Sequence, residues 1–179
     1  MKGLSGVENN QGIIGFFPKP AWTESDLTGR VIALEGIQDP GNLGTVIRTA
    51  AALGGFSIIS SGSGVSFYNP KVVRASAGYL FSVPFLSGLS HRDLVRKGYH
   101  LWYACPSEGI PLPETELEVP LAILFGSEGS GLDRDNIAAE GRKLMIPMNG
   151  EMDSLNVAVA SSIVMYEINR RSMINNAQG

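Results

Sequence analysis

The sequence predicts an α/β fold in which helices cover both faces of a parallel sheet. The 179 residues suit one compact domain, and 44% hydrophobic against 17% charged residues supply enough apolar surface for a core. From about residue 31, short apolar runs alternate with segments of helical periodicity. This alternation places a crossover helix between successive strands, so the strands are expected to run parallel.

Local patterns predict the elements in chain order. Residues 1–30 lack periodicity and contain several glycines and prolines, which predicts a lead-in or linker before a folded unit at 31–179. Apolar runs predict strands at 31–34, 56–59, 83–86, 101–105, 121–125 and 143–146. Helical patterns predict helices at 42–53, 70–77, 91–97 and about 155–170.

Two of these helices begin at recognisable capping residues. Asn69 precedes Pro70 at a first helical position, and Ser90 with Asp93 resembles a capping box. No internal repeat or low-complexity tract interrupts the pattern.

The composition excludes several function classes. A single cysteine, Cys105, cannot form an internal disulfide, and two histidines are too few for a Cys/His metal cage, so neither redox nor zinc chemistry is indicated. No uncharged helical stretch reaches the about 20 residues that cross a bilayer, and no secretory signal is visible. We therefore expect a cytoplasmic protein with no metal and no membrane partner.

The charges are sorted along the chain. A net charge of −3 argues at face value against a nucleic-acid partner. However, residues 41–100 contain six cations and one acid, whereas residues 101–140 contain eight acids and one cation. Local potential attracts a polyanion even when the net charge is negative, so a basic face is expected, with an accident of composition as the alternative.

Apolar side chains surround the last predicted helix on all sides. They are Leu155, Val157, Val159, Ile163, Val164, Met165 and Ile168. One face of this helix can pack on the sheet, and a partner subunit would cover the other, which predicts a homodimer with this helix in its interface. A helix buried at the centre of one subunit is the alternative.

Three segments differ from ordinary scaffold. In LEGIQDPGNLGTVIRTA (34–50) a strand turns into a helix, in LFGSEGSGL (124–132) a strand enters a glycine-rich loop, and IPMNGEMDSLNVAVASSIVMY (146–166) places short polar side chains before an apolar helix. Turns after parallel strands collect ligands, and glycines allow close approach of the backbone. The Rossmann and Walker glycine patterns are absent. Taken singly, Asn42 and Ser154 are helix caps and Arg48 is a surface arginine.

Together these segments resemble, in order and spacing, the three signature motifs of the SpoU (TrmH-like) family within the SPOUT superfamily of S-adenosylmethionine-dependent RNA methyltransferases. The segment NPKVVRASAGYLFSVPF (69–85) is also similar to that family's sequence, and the resemblance covers about 31–167. It implies a C-terminal trefoil knot, an active site at a homodimer interface, and transfer of a methyl group from S-adenosylmethionine to a ribose 2′-hydroxyl of RNA.

The resemblance also implies roles for individual residues. Cofactor contacts fall at Gly126, Ile146, Met148 and Leu155. Catalytic or substrate-positioning places fall at Asn42, Arg48, Glu128, Ser154 and Asn156. The family proposal that Arg48 helps to deprotonate the hydroxyl conflicts with a guanidinium that stays protonated. Gripping a phosphate and stabilising the alkoxide is the easier role, with a phosphate oxygen or Glu128 taking the proton.

The substrate is less sharply indicated than the chemistry. Lys71 and Arg74 are candidates for RNA backbone contacts, with solvated surface charge as the alternative. Ribosomal RNA of the 23S type, modified at a guanosine, is expected by analogy, and transfer RNA is the alternative. A non-catalytic RNA-binding scaffold of the same fold is the competing class. The lead-in resembles the junction after an N-terminal RNA-recognition domain, which suggests a catalytic fragment.

Overall fold

A computed structural model describes residues 15–126, 141–150 and 153–177, with side chains up to residue 174. Within these residues one seven-stranded sheet forms, and all its strand pairs are parallel. The strands are β1 (Arg30–Glu35), β2 (Ser57–Ser61), β3 (Phe85–Ser87), β4 (His100–Ala104), β5 (Ile110–Pro111), β6 (Leu121–Phe125) and β7 (Arg142–Met145). The predicted parallel sheet is confirmed, and the two-residue β5 is the one strand of this sheet that the apolar runs do not predict.

The order of the strands across the sheet is β3-β2-β1-β6-β4-β7-β5. β6 therefore lies between two strands that precede it in the chain, and β7 lies between β4 and β5. Both of these late strands end at the same edge of the sheet as β1, because all of them are parallel.

The helices are α1 (Pro40–Leu53), α2 (Pro70–Ala75), α3 (His91–Arg96) and α4 (Val157–Ala177), with short 3₁₀ turns at Glu24–Asp26, Tyr79–Phe81 and Leu112–Glu114. The capping residues predicted for α2 and α3 are confirmed, since Asn69 accepts a hydrogen bond from the Lys71 amide and Ser90 accepts one from the Asp93 amide. None of the described helices combines the length and apolar character that a membrane span requires.

Two helix starts differ from the prediction. α1 begins at Pro40 because Asp39, and not Asn42, is the cap: Asp39 Oδ1 accepts from the Asn42 amide at 2.8 Å. α4 begins at Val157 because Asn156, and not Ser154, is the cap: its Oδ1 accepts from the Ala158 amide at 2.9 Å. In both cases a side-chain oxygen satisfies an amide that the first helical turn leaves free.

Both faces of the sheet are buried. In β1, Ile32 and Leu34 belong to the core beneath α1, α2 and α4, whereas Val31 and Ala33 belong to a second core beneath α3. Successive residues of a strand point to opposite faces, so strands covered on both sides must be apolar at every position. This is why the strands appear in the sequence as continuous apolar runs.

α1 is the helix that holds the first face together. A side-chain carbon at Gly44 would lie 2.3 Å from the Ala75 Cβ, so α1 and α2 approach closely only because residue 44 is glycine. On another side of α1, the hydroxyl oxygens of Thr49 and Ser162 lie 3.0 Å apart and join α1 to α4. α1 is thereby fixed between α2 and α4.

Candidate active site at the carboxyl edge of the sheet

The strand register places the described start of the second sequence segment, residues 124–126, level with the start of the third, across the intervening strand β4. Leu124 of β6 and Lys143 of β7 are both aligned with Tyr103 of β4, which lies between them. Gly126 follows Leu124 by two residues and Ile146 follows Lys143 by three, so the two residues leave the sheet at nearly the same level. Two strand spacings, about 10 Å, separate their strands.

The predicted cofactor contacts share an intermediate degree of burial. Gly126, Ile146, Met148 and Leu155 are all partly buried, and Ile146 also packs against the main core. Apolar groups that are neither sealed in the core nor fully solvated can cover one side of a flat heterocycle, while a strand-end glycine leaves room for its polar groups. These residues therefore fit the group that the sequence implies, although their roles remain predictions.

The first and third segments are joined by a direct hydrogen bond. The Asn156 side-chain amide donates to Asn42 Oδ1 at 3.0 Å. Asn42 occupies the first turn of α1, where Asp39 holds its backbone amide, and Asn156 caps α4. Each asparagine is thus positioned by a helix terminus, and together they present two polar side chains at the carboxyl edge of the sheet.

Arg48 lies apart from this asparagine pair. It is six residues after Asn42, which places it about 120° around the helix axis. It follows Gly44 by one turn, on the side of α1 that approaches α2. Its side chain is exposed, and among the described residues it makes no ion pair or hydrogen bond. A free guanidinium of this kind is available to a phosphate.

No described contact links the remaining two predicted catalytic residues to the pair. Ser154 is exposed, and no hydrogen bond within the described part of the chain involves its side chain. Glu128 lies outside the described residues. The described geometry therefore tests neither role, and both remain predictions.

Two contacts of α1 were not predicted from the sequence. Asp39 caps α1, and the Asp-Pro dipeptide was a signal that could have identified it, since proline favours the first helical position directly after the cap. The contact between Thr49 and Ser162 had no such signal. It joins residues that are far apart in the chain and depends on how α1 and α4 pack.

Lys71 and Arg74 form an unpaired basic surface on α2. Both side chains are exposed, and neither makes an ion pair with a described residue. In contrast, several other cations are occupied by carboxylates, namely Arg96, Lys97, Lys143, Arg170 and Arg171. The cations of α2 are therefore free to meet an external anion.

Charge pairing also anchors α4. Arg170 and Arg171 donate hydrogen bonds to the Glu167 carboxylate, which lowers the pKa of Glu167 from 4.5 to about 2. Arg171 donates further to the carbonyl oxygens of Leu112 and Thr115, in the 3₁₀ turn after β5 and just beyond it. This network fixes the last helix and takes no part in the carboxyl edge. Within the described residues, no group of three or more His, Cys, Asp or Glu side chains is placed to hold a metal ion.

Comparison with known proteins connects these features to one family. The SpoU rRNA methylase family matches residues 29–166. An uncharacterized tRNA/rRNA methyltransferase of Synechocystis is 36% identical over 83% of this chain and 56% of its own length. The 23S rRNA (guanosine(2553)-2′-O)-methyltransferase RlmP of Bacillus subtilis is 32% identical over 78% of this chain and 57% of its own length. This chain thus spans a little more than half the length of each of these two relatives.

A solved structure shows the same similarity in three dimensions. The SpoU methyltransferase AviRb of Streptomyces viridochromogenes, in complex with AdoMet, aligns with a TM-score of 0.76 at 28% identity, covering 86% of this chain and 66% of AviRb. The family match contains all three sequence segments, and the structure joins the first to the third through the hydrogen bond between Asn42 and Asn156. The chain belongs to the SpoU rRNA methylase family.

Proposed function

We propose that this chain transfers a methyl group from S-adenosylmethionine to a ribose 2′-hydroxyl of ribosomal RNA, with a guanosine of 23S-type RNA as the expected target. The hydrogen bond between Asn156 and Asn42 carries the proposal, because it unites the first and third family motifs at the edge where Gly126 and Ile146 also emerge. The relative from Bacillus subtilis, whose name gives this reaction, supports the choice of substrate.

Four partly buried residues would hold the cofactor: Gly126, Ile146, Met148 and Leu155. When bound there, S-adenosylmethionine supplies an electrophilic methyl group on a sulfonium. The apolar side chains at this edge would cover its adenosine and exclude water from the reacting oxygen. The complex of AviRb with AdoMet supports this assignment.

The polar residues would position and activate the ribose. Transfer would exchange the methyl carbon's bond to the sulfonium sulfur for a bond to the 2′-oxygen, and the proton of the hydroxyl would pass to the Glu128 carboxylate or to a phosphate oxygen. Arg48 would grip a phosphate with two N–H groups and stabilise the developing alkoxide, which its free, exposed guanidinium permits. Asn42 would contact the sugar, and Ser154 with Asn156 would lie near the cofactor and the phosphate.

A substitution at Arg48 tests that role. Arg48→Lys should keep the charge but lose the two-point grip, so turnover should fall at least about tenfold and RNA affinity should weaken. Arg96→Lys, on α3 and paired with Asp93, is the matched control and should change neither quantity. If Arg48→Lys retained nearly full turnover and unchanged RNA affinity, the bidentate role would be wrong.

The active unit would be a homodimer built on α4. One face of this helix is buried in the core, and the opposite face exposes an apolar stripe that the exposed Arg170 interrupts. Its members are Val159 (48% exposed), Ile163 (38%), Tyr166 (60%), Met173 (64%) and Ile174 (42%). A second subunit would cover this stripe, since a stripe along a helix is the usual form of a helix-packing surface.

The C-terminal part would form the trefoil knot of the family. The sheet order supports this proposal, because β6 inserts between β1 and β4 and β7 inserts between β4 and β5, all of them earlier in the chain. Residues 31–179 would then be the catalytic domain, and residues 1–30 would be the junction to an RNA-recognition domain.

One experiment tests substrate and chemistry together. The full chain is incubated with methyl-labelled S-adenosylmethionine and with separated pools of ribosomal and transfer RNA, and the modified ribose is mapped. Label in 23S-type RNA at a ribose oxygen is the expected result. Label on a base, or in neither pool despite measured cofactor binding, would contradict the proposal.

Transfer RNA is the second candidate substrate. The name of the Synechocystis relative covers both RNA classes, and label confined to the transfer RNA pool would favour this alternative. A non-catalytic scaffold is separated by calorimetry with S-adenosylmethionine, because a scaffold without the cofactor site should give no binding heat.

A further inference from the structure

Three exposed aromatic side chains belong to the 3₁₀ turn after α2 and to the segment that contacts this turn. Phe17, Tyr79 and Phe81 are 73%, 51% and 44% exposed, and we call them the aromatic platform. The Phe17 and Phe81 rings are in contact, with centroids 5.9 Å apart and planes at 53°. Large rings exposed this far and grouped in this way usually mark a binding surface.

The chain after α2 is built to present these rings. Val72, Ser76 and Leu80 are fully buried at intervals of four residues and anchor the segment. Ala77 and Gly78 both have positive φ, 51° and 88°, and this turn leads directly into the 3₁₀ turn Tyr79–Phe81. The exposed cations and aromatic rings of the segment all lie within two residues of these anchors: Lys71, Arg74, Tyr79 and Phe81.

The segment that contains Phe17 is fixed against the same side. The Tyr68 hydroxyl donates to the carbonyl oxygen of Pro20 at 3.2 Å, and the Lys19 ammonium lies 4.6 Å above the Tyr68 ring. Tyr68 in turn packs edge-on against the buried ring of Phe85. Phe17 is thus held next to Phe81 by contacts that continue into the core.

The surroundings of the platform are basic. The sequence contains no aspartate or glutamate from position 40 to position 92. Lys71 and Arg74 are exposed and unpaired among the described residues, just before the platform in the chain. Arg74 precedes Ala75, which touches Gly44 of α1, and Arg48 follows Gly44 by one turn. Cations therefore extend from the proposed catalytic arginine to the aromatic rings.

We propose that the aromatic platform stacks the bases of a single-stranded stretch of RNA, whose phosphates are bound by Lys71 and Arg74. This inference rests on the proposed function, since it extends the substrate path from Arg48 to Phe81. Aromatic rings bordered by unpaired cations suit a flexible polyanion with exposed bases, because stacking needs ring faces and the backbone needs positive charge. A second protein copy fits less well, because its basic patch would face an identical one.

The test measures binding of a short, unstructured, labelled RNA oligonucleotide to the full chain by fluorescence anisotropy, without cofactor and over a series of salt concentrations. Phe81→Leu and Tyr79→Leu should each weaken binding by about fivefold to a hundredfold, as expected for one lost base stack. The loss should be similar at every salt concentration. Phe81→Trp keeps a stacking face and should bind within about twofold of the parent.

The cations are distinguished by salt. Lys71→Gln and Arg74→Gln should weaken binding and lower the slope of log affinity against log salt by about 0.7 each, the value for one phosphate contact on a single strand. The leucine variants should leave that slope unchanged. Val119→Ala, at a 56% exposed apolar position elsewhere, is the control and should alter neither affinity nor slope.

Three results would overturn the inference: leucine variants that bind RNA as the parent does, a tryptophan variant as weak as the leucine variant, or leucine variants that change the sedimenting mass, which would make the platform a contact between copies. Phe17→Leu excludes misfolding as the explanation of weaker binding, because Phe17 is highly exposed and lies outside the helices and strands. Binding is measured without methyl transfer. A chain that binds through the platform yet methylates no RNA would contradict the proposed function alone.

Discussion

Replacing Asn156 by alanine should destabilise the protein, because the Asn156 side chain makes two kinds of contact at the start of α4. Its Oδ1 accepts from the Ala158 amide at 2.9 Å and from the Val159 amide at 3.4 Å, which caps the helix. Its amide donates to Asn42 Oδ1 at 3.0 Å and thereby joins α4 to α1. Alanine removes both contacts and leaves helix amides without a protein partner.

The magnitude follows from the two contacts. Loss of an asparagine cap costs about 1 kcal/mol. The bond to Asn42 lies in an exposed position and contributes about 0.5 kcal/mol, the lower end of the range for hydrogen bonds. Asn156→Ala should therefore lower the unfolding free energy by about 1.5 kcal/mol. Asn156→Ser, which caps a helix but is too short to reach Asn42, should cost only about 0.5 kcal/mol.

Urea unfolding followed by circular dichroism, at one fixed protein concentration, measures these differences. A double-mutant cycle isolates the bond: after Asn42→Ala, the further change Asn156→Ser should cost almost nothing. If the two substitutions were simply additive, or if Asn156→Ala left the unfolding free energy unchanged, the contact would carry no coupling. The hydrogen bond would then not couple the first motif to the third.

Three further substitutions test the fold. Glu167→Gln should remove a pH dependence of stability. The folded-state pKa of Glu167, about 2, lies below the ordinary 4.5, so its contribution to the unfolding free energy is present above pH 4.5 and is lost as pH falls toward 2. Across that window the unfolding free energy of the variant should therefore fall less than that of the parent. Gly44→Ala should cost about 1–3 kcal/mol in urea unfolding, because the new carbon would overlap the Ala75 Cβ; an unchanged midpoint would contradict the close helix contact. If the proposed α4 dimer forms, Ile163→Asp should convert it to a monomer in analytical ultracentrifugation, whereas Val119→Asp should not; equal masses for both variants would refute the proposed interface.

Part of the site can be predicted from the amino-acid sequence. The motifs select both Asn42 and Asn156 as site residues, and the hydrogen bond between them brings them together. Their structural roles are predicted less well, since Asp39 caps α1 and Asn156 caps α4, whereas the local pattern favours Asn42 and Ser154. Capping residues of similar chemistry stand within three positions of each other in both segments, and only backbone geometry chooses among them.

The sequence alone specifies most of the secondary structure, the parallel direction of the strands and the segments that line the carboxyl edge. These properties are local: a strand buried on both faces is a continuous apolar run, and a crossover helix between strands forces them parallel. The sequence also shows that no acidic residue lies near Lys71 and Arg74 in the chain.

Which elements become neighbours depends on the packing of the folded chain. The insertion of β6 between β1 and β4, the contact of Asn42 with Asn156 and the pairing of Phe17 with Phe81 all join positions that are distant in the chain. Periodicity reports how a side chain lies relative to its own helix or strand and carries no information about the partner across the interface. Those partners are selected by packing of the whole molecule, where a glycine at position 44 or a buried anchor at Leu80 determines how closely two segments approach.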